Sequence, residues 1–272
     1  MPQLSIITVN LNNLAGLQKT MQSVFEQTFS DYEYIIIDGG STDGSREYIE
    51  HHKEKLAYWV SEKDGGIFNA MNKGIEKASG KYLIFMNSGD YFYSADILTK
   101  VFDKPPQSDI VYGNVIWWPV KHNGSYPDKL SFNHFKHSTI PHQGSFIRKE
   151  LFNLVGKYDE QYEVNSDWNF FVLAIFKYNC SYKHLNLIIS YCNTDGVSLT
   201  KSGPVKTSEI REHFIKEHFN AFNIDFIGID EEIRDLRNEN NHYKNLLQQR
   251  IMKYAFKINQ KYQQFRKSLR GR

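Results

Sequence analysis

Cysteine is scarce in this chain of 272 residues, which contains Cys180 and Cys192 and no others. Two isolated thiols fit a reducing compartment better than the disulfide framework of a small secreted domain. The chain also lacks an apolar run that approaches the length of about 20 residues needed by a membrane-spanning helix. No basic region followed by an apolar signal core opens its N-terminus. We therefore expect a cytoplasmic protein without a membrane-spanning segment.

Acidic residues are absent from residues 251–272, which contain seven Lys and Arg. The whole chain has a net charge of only +2, so residues 1–250 carry a net negative charge. A negatively charged body argues against the broad basic surface with which proteins bind nucleic acid. We expect no nucleic-acid partner, whereas the basic tail could bind another anionic surface.

Glycine becomes rare, and the chain becomes polar and helical, from about Thr207. Over the whole chain, a hydrophobic content of 40% and abundant aromatic residues are typical of a globular protein. The length allows one large domain with an extension. The sequence therefore predicts a globular domain at residues 1–206 and a helical extension at residues 207–272.

The first ninety residues alternate between strand-like and helical patterns. The predicted strands are residues 4–9, 34–37, 58–60 and 82–86, and the helices between them are residues 14–27, 45–52 and 67–78. This order is typical of an α/β fold with a parallel sheet and right-handed crossovers. After Asp90 we predict strands at residues 110–118, 144–147 and 187–191, helices at residues 95–102, 149–155 and 167–177, and a polar loop at residues 121–137.

Acid-bearing turns follow two of the predicted strands. One turn is Asp38-Gly39-Gly40-Ser41-Thr42-Asp43-Gly44, and the other is Asn87-Ser88-Gly89-Asp90. Ligands of open α/β sheets bind at the carboxyl ends of the strands. Two carboxylates delivered to that edge predict a site for a polar ligand that carries a metal.

Four motifs in the same order and spacing resemble those of family 2 glycosyltransferases with the GT-A fold. They are Ser5-Ile6-Ile7-Thr8-Val9-Asn10, Ile37-Asp38-Gly39-Gly40-Ser41-Thr42-Asp43-Gly44, Met71-Asn72-Lys73-Gly74 with Gly80-Lys81-Tyr82-Leu83, and Asn87-Ser88-Gly89-Asp90. The resemblance covers residues 3 to about 200 and implies a Rossmann-like, mostly parallel sheet flanked by helices. Together with Ser61-Glu62-Lys63-Asp64-Gly65-Gly66-Ile67, it is similar to bacterial enzymes that build capsule, exopolysaccharide or lipopolysaccharide.

The resemblance places Thr8, Asn10 and Asp38 around the base and ribose of a nucleotide-sugar donor, with Asp64 as a second contact near the base. Asn72 is a further nucleotide candidate that fits less closely. The alternatives are structural. Asp38 could only cap its own turn, Thr8 and Asn10 could form turns, Asp64 could be a turn acid, and Asn72 could lie on a helix surface.

The resemblance matches Asp90 to the last Asp of an acidic metal-binding motif. A divalent cation, Mg²⁺ or Mn²⁺, between a carboxylate and a diphosphate offsets the charge of the leaving group. Asn87 and Gly89 stand where the family often has further acids, so we expect weak metal binding without the nucleotide. Asn87 is a candidate contact to the sugar or to water on the metal. The alternative for Asp90 is a cap of the next helix.

Asp167 is the candidate general base, because the resemblance matches it to an acidic element of the family. Bulky apolar neighbours in Trp168 and Phe170 predict a raised pKa, which suits a base. The alternative is an N-cap. The resemblance favours inversion over a double displacement, matches His142 and Gln143 to contacts with donor sugar or acceptor, and matches residues 195–198 to a loop that closes over substrate.

The C-terminal extension carries two further patterns. Residues 251–272 combine an apolar stripe with a basic face, which predicts a helix at an anionic membrane surface. Residues 229–250 approximate a heptad seam, which predicts a homo-oligomer. A solvated helix is the alternative to both.

These observations favour an inverting glycosyltransferase that acts on a saccharide or lipid-linked acceptor in surface polysaccharide synthesis, at the inner face of the cell membrane. Two other classes stay open. A nucleotidyltransferase would share the strand-end acids but normally needs a basic, glycine-rich loop near the N-terminus, and residues 10–16 contain no Lys or Arg. A non-catalytic carbohydrate-binding protein would explain the aromatic residues but not the ordered acidic turns.

Overall fold

The computed structural model describes residues 1–120, 122–162, 164–194, 204–219, 239–246, 248–249 and 253. The chain divides into two compact units, Met1–His218 and Phe219–Arg272. In the second unit residues 239–246, 248–249 and 253 are helical. The predicted closing loop at residues 195–198 lies outside the described residues, as do most of the predicted oligomerisation and membrane segments.

Residues 1–90 form the predicted alternation of parallel strands and helices. The strands are β1 (Leu4–Asn10), β2 (Tyr32–Asp38), β3 (Tyr58–Ser61) and β4 (Tyr82–Phe85), and the helices are α1 (Leu14–Phe25), α2 (Ser45–His51) and α3 (Ile67–Lys77). A short 3₁₀ turn, Lys53–Lys55, precedes β3. β1 pairs in parallel with both β2 and β4, and β2 pairs in parallel with β3. The prediction of an α/β fold is confirmed.

The second half adds strands of mixed direction. Its strands are β5 (Tyr91–Phe92), β6 (Ile110–Trp118), β7 (His122–Gly124), β8 (Ser145–Arg148) and β9 (Tyr182–Asn193). Its helices are α4 (Ile97–Phe102), α5 (Phe132–His137), α6 (Leu151–Leu154), α7 (Ser166–Val172), continued by a π-turn at Leu173–Lys177, and α8 (Pro204–His218), and a 3₁₀ turn spans His142–Gly144. The prediction of a loop at residues 121–137 is wrong in part, because β7 and α5 lie within that range. Neither element is long enough to give a periodic pattern.

The strand order is β3-β2-β1-β4-β8-β6-β9-β5, with β7 paired to β6. β8 is antiparallel to β4 and to β6, while β6 and β9 are parallel. β1 is buried along its whole length and β4 likewise, so apolar side chains face helices on both sides. No helix among the described residues combines the length and the apolarity needed to cross a bilayer.

The register of the parallel strands decides where the polar strand ends meet. Asn10 pairs with Asp38, and Asp38 pairs with Ser61. On the other side of β1, Ile7 pairs with Phe85, so the Asn87–Asp90 turn leaves the sheet at the same edge. The two acid-bearing turns therefore flank the end of β1, as the sequence predicted.

Candidate active site

Asp38 lies fully buried at the end of β2, and four hydrogen bonds reach its carboxylate. Oδ1 accepts from Asn10 Nδ2 at 2.7 Å and from the Ser41 hydroxyl at 2.6 Å. Oδ2 accepts from the Ser41 N–H at 2.9 Å and from the Ser61 hydroxyl at 2.6 Å. Burial raises the pKa of Asp38, but these hydrogen bonds more than offset it, and the pKa is lowered overall. Asp38 therefore holds the ends of β1, β2 and β3 together.

Asn10 and Asp64 lie beside this carboxylate. The Oδ1 atom of Asn10 is buried and has no hydrogen-bond partner among the described residues, so it can accept a bond from a ligand. Oδ2 of Asp64 lies 2.7 Å from the position that a Cβ would take on Gly39, and Oδ1 accepts from the Gly66 N–H at 2.9 Å. The structure thus brings Asn10 and Asp64 to the Asp38 turn, and the absence of a side chain on Gly39 allows Asp64 to approach this closely.

Thr8 and Asn72 have protein partners elsewhere. The buried hydroxyl of Thr8 donates to the Met86 carbonyl at 2.7 Å and lies 2.9 Å from the Tyr34 hydroxyl. Asn72 Nδ2 donates to the Tyr158 carbonyl and to Glu160, each at 2.8 Å, and Asn72 Oδ1 accepts from the Tyr158 N–H at 3.0 Å. Thr8 therefore connects strands and Asn72 ties α3 to a distant loop. These surroundings do not support a nucleotide contact for either side chain.

Asp90 is also nearly buried, but it has fewer donors than Asp38. Oδ1 accepts from the Asn193 N–H at 2.8 Å, and Oδ2 accepts from Gln143 Nε2 at 3.1 Å. Burial raises the pKa of Asp90 to about 6, against the opposing effects of these two bonds and of the charge of His142. α4 begins at Ile97, so Asp90 is not the cap of that helix.

A hydrogen-bonded chain links Asp167 to the Asp90 turn. His142 Nδ1 lies 3.0 Å from Asp167 Oδ2, and His142 Nε2 lies 3.3 Å from Asn87 Nδ2. A proton on Nδ1 lets the imidazole donate to Asp167, and Nε2 then accepts from the Asn87 amide. Because Gln143 donates to Asp90, the His142–Gly144 turn contacts both acids. The N-cap of α7 is Asn165, so Asp167 does not fill that position.

The raised pKa predicted for Asp167 is wrong. Burial does raise the pKa of Asp167, but other effects together lower that pKa below its ordinary value. These are the hydrogen bond and the charge of His142, the backbone N–H of Trp168 and the charge of Arg211. Burial raises the pKa, as predicted, whereas two of the compensating residues, His142 and Arg211, come from distant parts of the chain. Asp167 is thus held ionised, and 19% of its side chain is exposed.

The polar groups at this edge fit a divalent cation only in part. Asp90 offers a carboxylate, and Asn87 Oδ1 is a buried oxygen without a hydrogen-bond partner among the described residues. The Asp90 N–H donates to the Asn87 carbonyl at 2.9 Å, which closes the turn that carries both. The described residues contain no group of three or more His, Cys, Asp or Glu that could hold a metal ion. Oxygen donors suit Mg²⁺ or Mn²⁺, and a bound diphosphate would have to supply most of the ligands.

Residues 10–13 join the two acidic turns. The Asn12 N–H donates to the Ser41 hydroxyl at 2.7 Å, and Asn13 Nδ2 donates to the Ser88 carbonyl at 3.1 Å. Ser41 thus belongs to the Asp38 turn and to this loop. Ser41 lies in the motif at residues 37–44, so the sequence does carry a signal for it. Asn193 donates to Asp90, and the charge of Arg211 lowers the pKa of Asp167, but neither residue carries a local signal that could have identified it.

A family model described as glycosyl transferase family 2 matches residues 5–158. A PGL/p-HBAD biosynthesis glycosyltransferase of Mycobacterium tuberculosis is 32% identical over 209 residues, which cover 73% of this chain and 80% of the relative. A second glycosyltransferase from that organism, of uncharacterized function, is 33% identical over 72% of this chain and 77% of its own.

Two solved structures share the fold. TarS 1–349 of Staphylococcus aureus in complex with UDP-GlcNAc has a TM-score of 0.62 at 18% identity, over 74% of this chain and 61% of that one. The mannosyltransferase PcManGT of Pyrobaculum calidifontis, in complex with GDP-Man and Mn²⁺, has a TM-score of 0.53 at 15% identity, over 71% of this chain and 56% of that one. The chain thus spans less than two thirds of either structure.

Proposed function

The chain belongs to glycosyl transferase family 2 and is a glycosyltransferase, and we propose that it is an inverting enzyme. Its donor is a nucleotide-diphosphate sugar, and its acceptor is a hydroxyl of a saccharide or a lipid-linked molecule. The observation that carries this proposal is the His142–Gly144 turn, which contacts the candidate base through His142 and the candidate metal carboxylate through Gln143.

The donor would lie across the two acidic turns. Asn10 Oδ1, which has no partner among the described residues, and the carboxylate of Asp64 would bond to the base or ribose. Asp38 fixes the end of β2 through its four hydrogen bonds. Asp90 and the unpartnered Asn87 Oδ1 would hold the divalent cation together with diphosphate oxygens. That cation would offset the negative charge that develops on the leaving nucleoside diphosphate.

Asp167 takes the proton of the acceptor hydroxyl as general base. The hydroxyl oxygen forms a bond to the anomeric carbon while the bond from that carbon to the diphosphate oxygen breaks. The nucleoside diphosphate leaves with the electron pair, and this single displacement inverts the anomeric configuration. His142 keeps Asp167 oriented and ionised, and an ionised carboxylate is the form that can accept a proton.

A role in cell-surface polysaccharide synthesis fits the motifs at residues 61–67 and 87–90. Donors such as UDP-GlcNAc or GDP-Man suit the site, as in the complexes of TarS and PcManGT. We propose that residues 251–272 bind an anionic inner membrane surface and that residues 229–250 pair in a homo-oligomer. Deleting residues 251–272 should release the protein from anionic liposomes without changing nucleotide binding, and sedimentation with liposomes as before would contradict the membrane role.

Calorimetry with UDP, GDP and dTDP, with and without Mn²⁺, tests the metal and nucleotide assignments. We expect Mn²⁺ to strengthen the binding of one nucleotide to the wild-type protein, and to have little effect on Asp90→Asn. Asp96→Asn is the matched control, because Asp96 is a half-exposed acid that follows Asp90 in the chain and pairs with Lys100. Equal metal dependence in wild type and Asp90→Asn would exclude Asp90 as a ligand.

A donor screen followed by NMR of the product then tests the reaction. Transfer with an inverted anomeric centre supports the proposal, and retention contradicts the single displacement. Release of pyrophosphate from a nucleoside triphosphate and a sugar phosphate would instead identify a nucleotidyltransferase. Binding of saccharides without turnover of any donor would leave the carbohydrate-binding alternative.

A further inference from the structure

The side chain of Thr20 reaches from the middle of helix α1 to the turn that carries Asp90. Thr20 is fully buried, and its hydroxyl accepts a hydrogen bond from the Gly89 N–H at 3.0 Å. The same hydroxyl donates to the Asp90 carbonyl oxygen, which lies 2.7 Å away. One side chain of α1 therefore bonds the main chain of two successive residues in the turn Asn87–Asp90.

A threonine within a helix can also donate its hydroxyl to a carbonyl one turn earlier in the same helix. The Gly16 carbonyl lies 3.0 Å from the Thr20 hydroxyl, and the Asn87 carbonyl lies 3.3 Å from it. A hydroxyl has a single proton, and the Asp90 carbonyl is the nearest of the three acceptors. The bond from Gly89 uses a lone pair of the hydroxyl, so it forms whichever carbonyl takes the proton. The Thr20 hydroxyl thus serves the turn as well as its own helix.

The main chain beside Asp90 needs such a bond. Gly89 has a φ of +102°, a left-handed conformation that glycine reaches at low cost and leaves as easily. Asn193 and Gln143 each donate to one oxygen of the Asp90 carboxylate. The Thr20 hydroxyl holds the main chain that carries this carboxylate, at the Gly89 N–H and at the Asp90 carbonyl. Three separate segments therefore fix the position of Asp90.

We propose that Thr20 is a positioning residue for Asp90, which acts on the candidate metal carboxylate through the main chain of its turn. This inference rests on the proposed role of Asp90 as a metal ligand. A carboxylate binds a cation best when its oxygens are already oriented. Removing a group that orients a metal ligand from outside typically costs roughly ten- to hundredfold in metal affinity.

The test compares Thr20→Val, which keeps the branched shape of the side chain and removes the hydroxyl, with Thr20→Ser, which keeps the hydroxyl. Ser23→Ala is the matched control. The Ser23 hydroxyl also reaches from α1 to the main chain of this region, because it accepts from the Phe92 N–H at 3.2 Å. Phe92 lies beyond the turn and is held in the sheet by its pairing with Ser190.

The first readout is amide hydrogen exchange, measured by NMR on the full chain without metal. In Thr20→Val the Gly89 amide should exchange roughly tenfold faster than in the wild type, because it loses its acceptor. The Asp90 amide should also exchange faster as the turn loosens, and the Phe92 amide should keep its wild-type rate. Ser23→Ala should give the reverse pattern, and Thr20→Ser should resemble the wild type.

The second readout is the effect of Mn²⁺ on the binding of UDP, GDP and dTDP, measured by calorimetry. Thr20→Val should bind the preferred nucleotide roughly ten- to hundredfold more weakly than the wild type when Mn²⁺ is present. Without metal, the two proteins should bind it equally. Ser23→Ala should keep the wild-type effect of Mn²⁺, even where thermal unfolding shows a similar loss of stability in both variants. A purely structural role of Thr20 would give both variants the same result.

An unchanged exchange rate of Gly89 in Thr20→Val would overturn the proposal, and so would faster exchange with a wild-type effect of Mn²⁺. Thr20→Ala provides the same comparison if the Val variant does not fold. If Mn²⁺ has no effect on the wild type, the proposed metal role of Asp90 fails. Faster exchange of Gly89 and Asp90 in Thr20→Val would then still support the hold of Thr20 on the turn.

Discussion

Asp38 and Asp90 each follow a parallel strand and are almost entirely buried, yet the pKa of Asp38 is lowered and the pKa of Asp90 is raised to about 6. Asp38 accepts four hydrogen bonds, which compensate its desolvation. Asp90 accepts two. The number of donors, and not burial alone, therefore sets the direction of each pKa. Asp38 is saturated by the protein, while Asp90 keeps the capacity for a further partner.

The same contrast separates two asparagines of the site. The Asn72 side chain forms hydrogen bonds with Tyr158 and Glu160, so this amide connects two parts of the fold. Asn87 instead has a buried Oδ1 without a partner among the described residues. Side chains around Asp38 and Asn72 bond to other parts of the protein, whereas we propose that Asp90, Asn87 and Asp167 act on ligands. Substitutions in the two regions should therefore affect different quantities.

The largest effect should come from Asp167→Asn. Loss of the general base should lower kcat by about 1,000-fold, within the range typical of general acid–base catalysis. Nucleotide affinity should stay within about twofold of the wild type, because no proposed donor contact is removed. Turnover measured beside nucleotide calorimetry checks both statements, and a kcat near the wild-type value would remove Asp167 from the base role.

Metal-free protein should show opposite pH slopes for Asp90 and Asp38. The pKa of Asp90 is raised on folding, so its favourable contribution is present below the ordinary pKa of 3.8 and is lost as pH rises through about 6. The stability of wild type relative to Asp90→Asn should thus fall by up to about 3 kcal/mol over that window. Asp38 has a lowered pKa, so its contribution is present above its ordinary pKa and is lost as pH falls through the lowered value.

Urea unfolding in EDTA, at several pH values between 3 and 7.5, measures both slopes in wild type, Asp90→Asn and Asp38→Asn. The difference between wild type and Asp38→Asn should grow as pH rises, in the opposite sense to Asp90. Slopes of the same sign would show that the pKa values of Asp38 and Asp90 do not shift in opposite directions on folding.

At neutral pH, Asp38→Asn should lower the free energy of unfolding by about 2 kcal/mol. The new NH₂ group cannot accept the two hydrogen bonds that end on the carboxylate oxygen it replaces, and a buried donor left unpaired costs about 1–3 kcal/mol. Asp43→Asn is a more exposed control on the same turn. Loss of nucleotide binding with unchanged stability would show that Asp38 contacts the ligand directly.

The smallest effect should come from Asn72→Ala, which should cost about 1 kcal/mol of stability because it removes the bonds to Tyr158 and Glu160. Asn87→Ala should change stability less and metal-dependent nucleotide affinity more. Thermal unfolding and calorimetry on this pair separate the two roles. A larger effect of Asn72→Ala on nucleotide affinity than on stability would restore the nucleotide contact first predicted for Asn72.

Much of the fold in residues 1–90 could be predicted, because each buried parallel strand is a short apolar run and each helix between them is periodic. The same local patterns placed Asp38 and Asp90 at one edge of the sheet. The short elements β7 and α5 could not be predicted, because three to six residues do not establish a period. Asn193 and Arg211 were missed because the acids whose environment they change lie in distant segments of the chain.

The sequence by itself determined the succession of strands and helices along residues 1–90 and which acids reach the carboxyl ends of the strands, since these follow from local hydrophobic patterns and turns. Only the tertiary structure decided what each acid can do. His142 and Arg211 lie far from Asp167 in sequence, and they reverse the pKa direction that its apolar neighbours alone predict. A pKa depends on every donor and charge near the group, and such neighbours are chosen by the packing of distant segments.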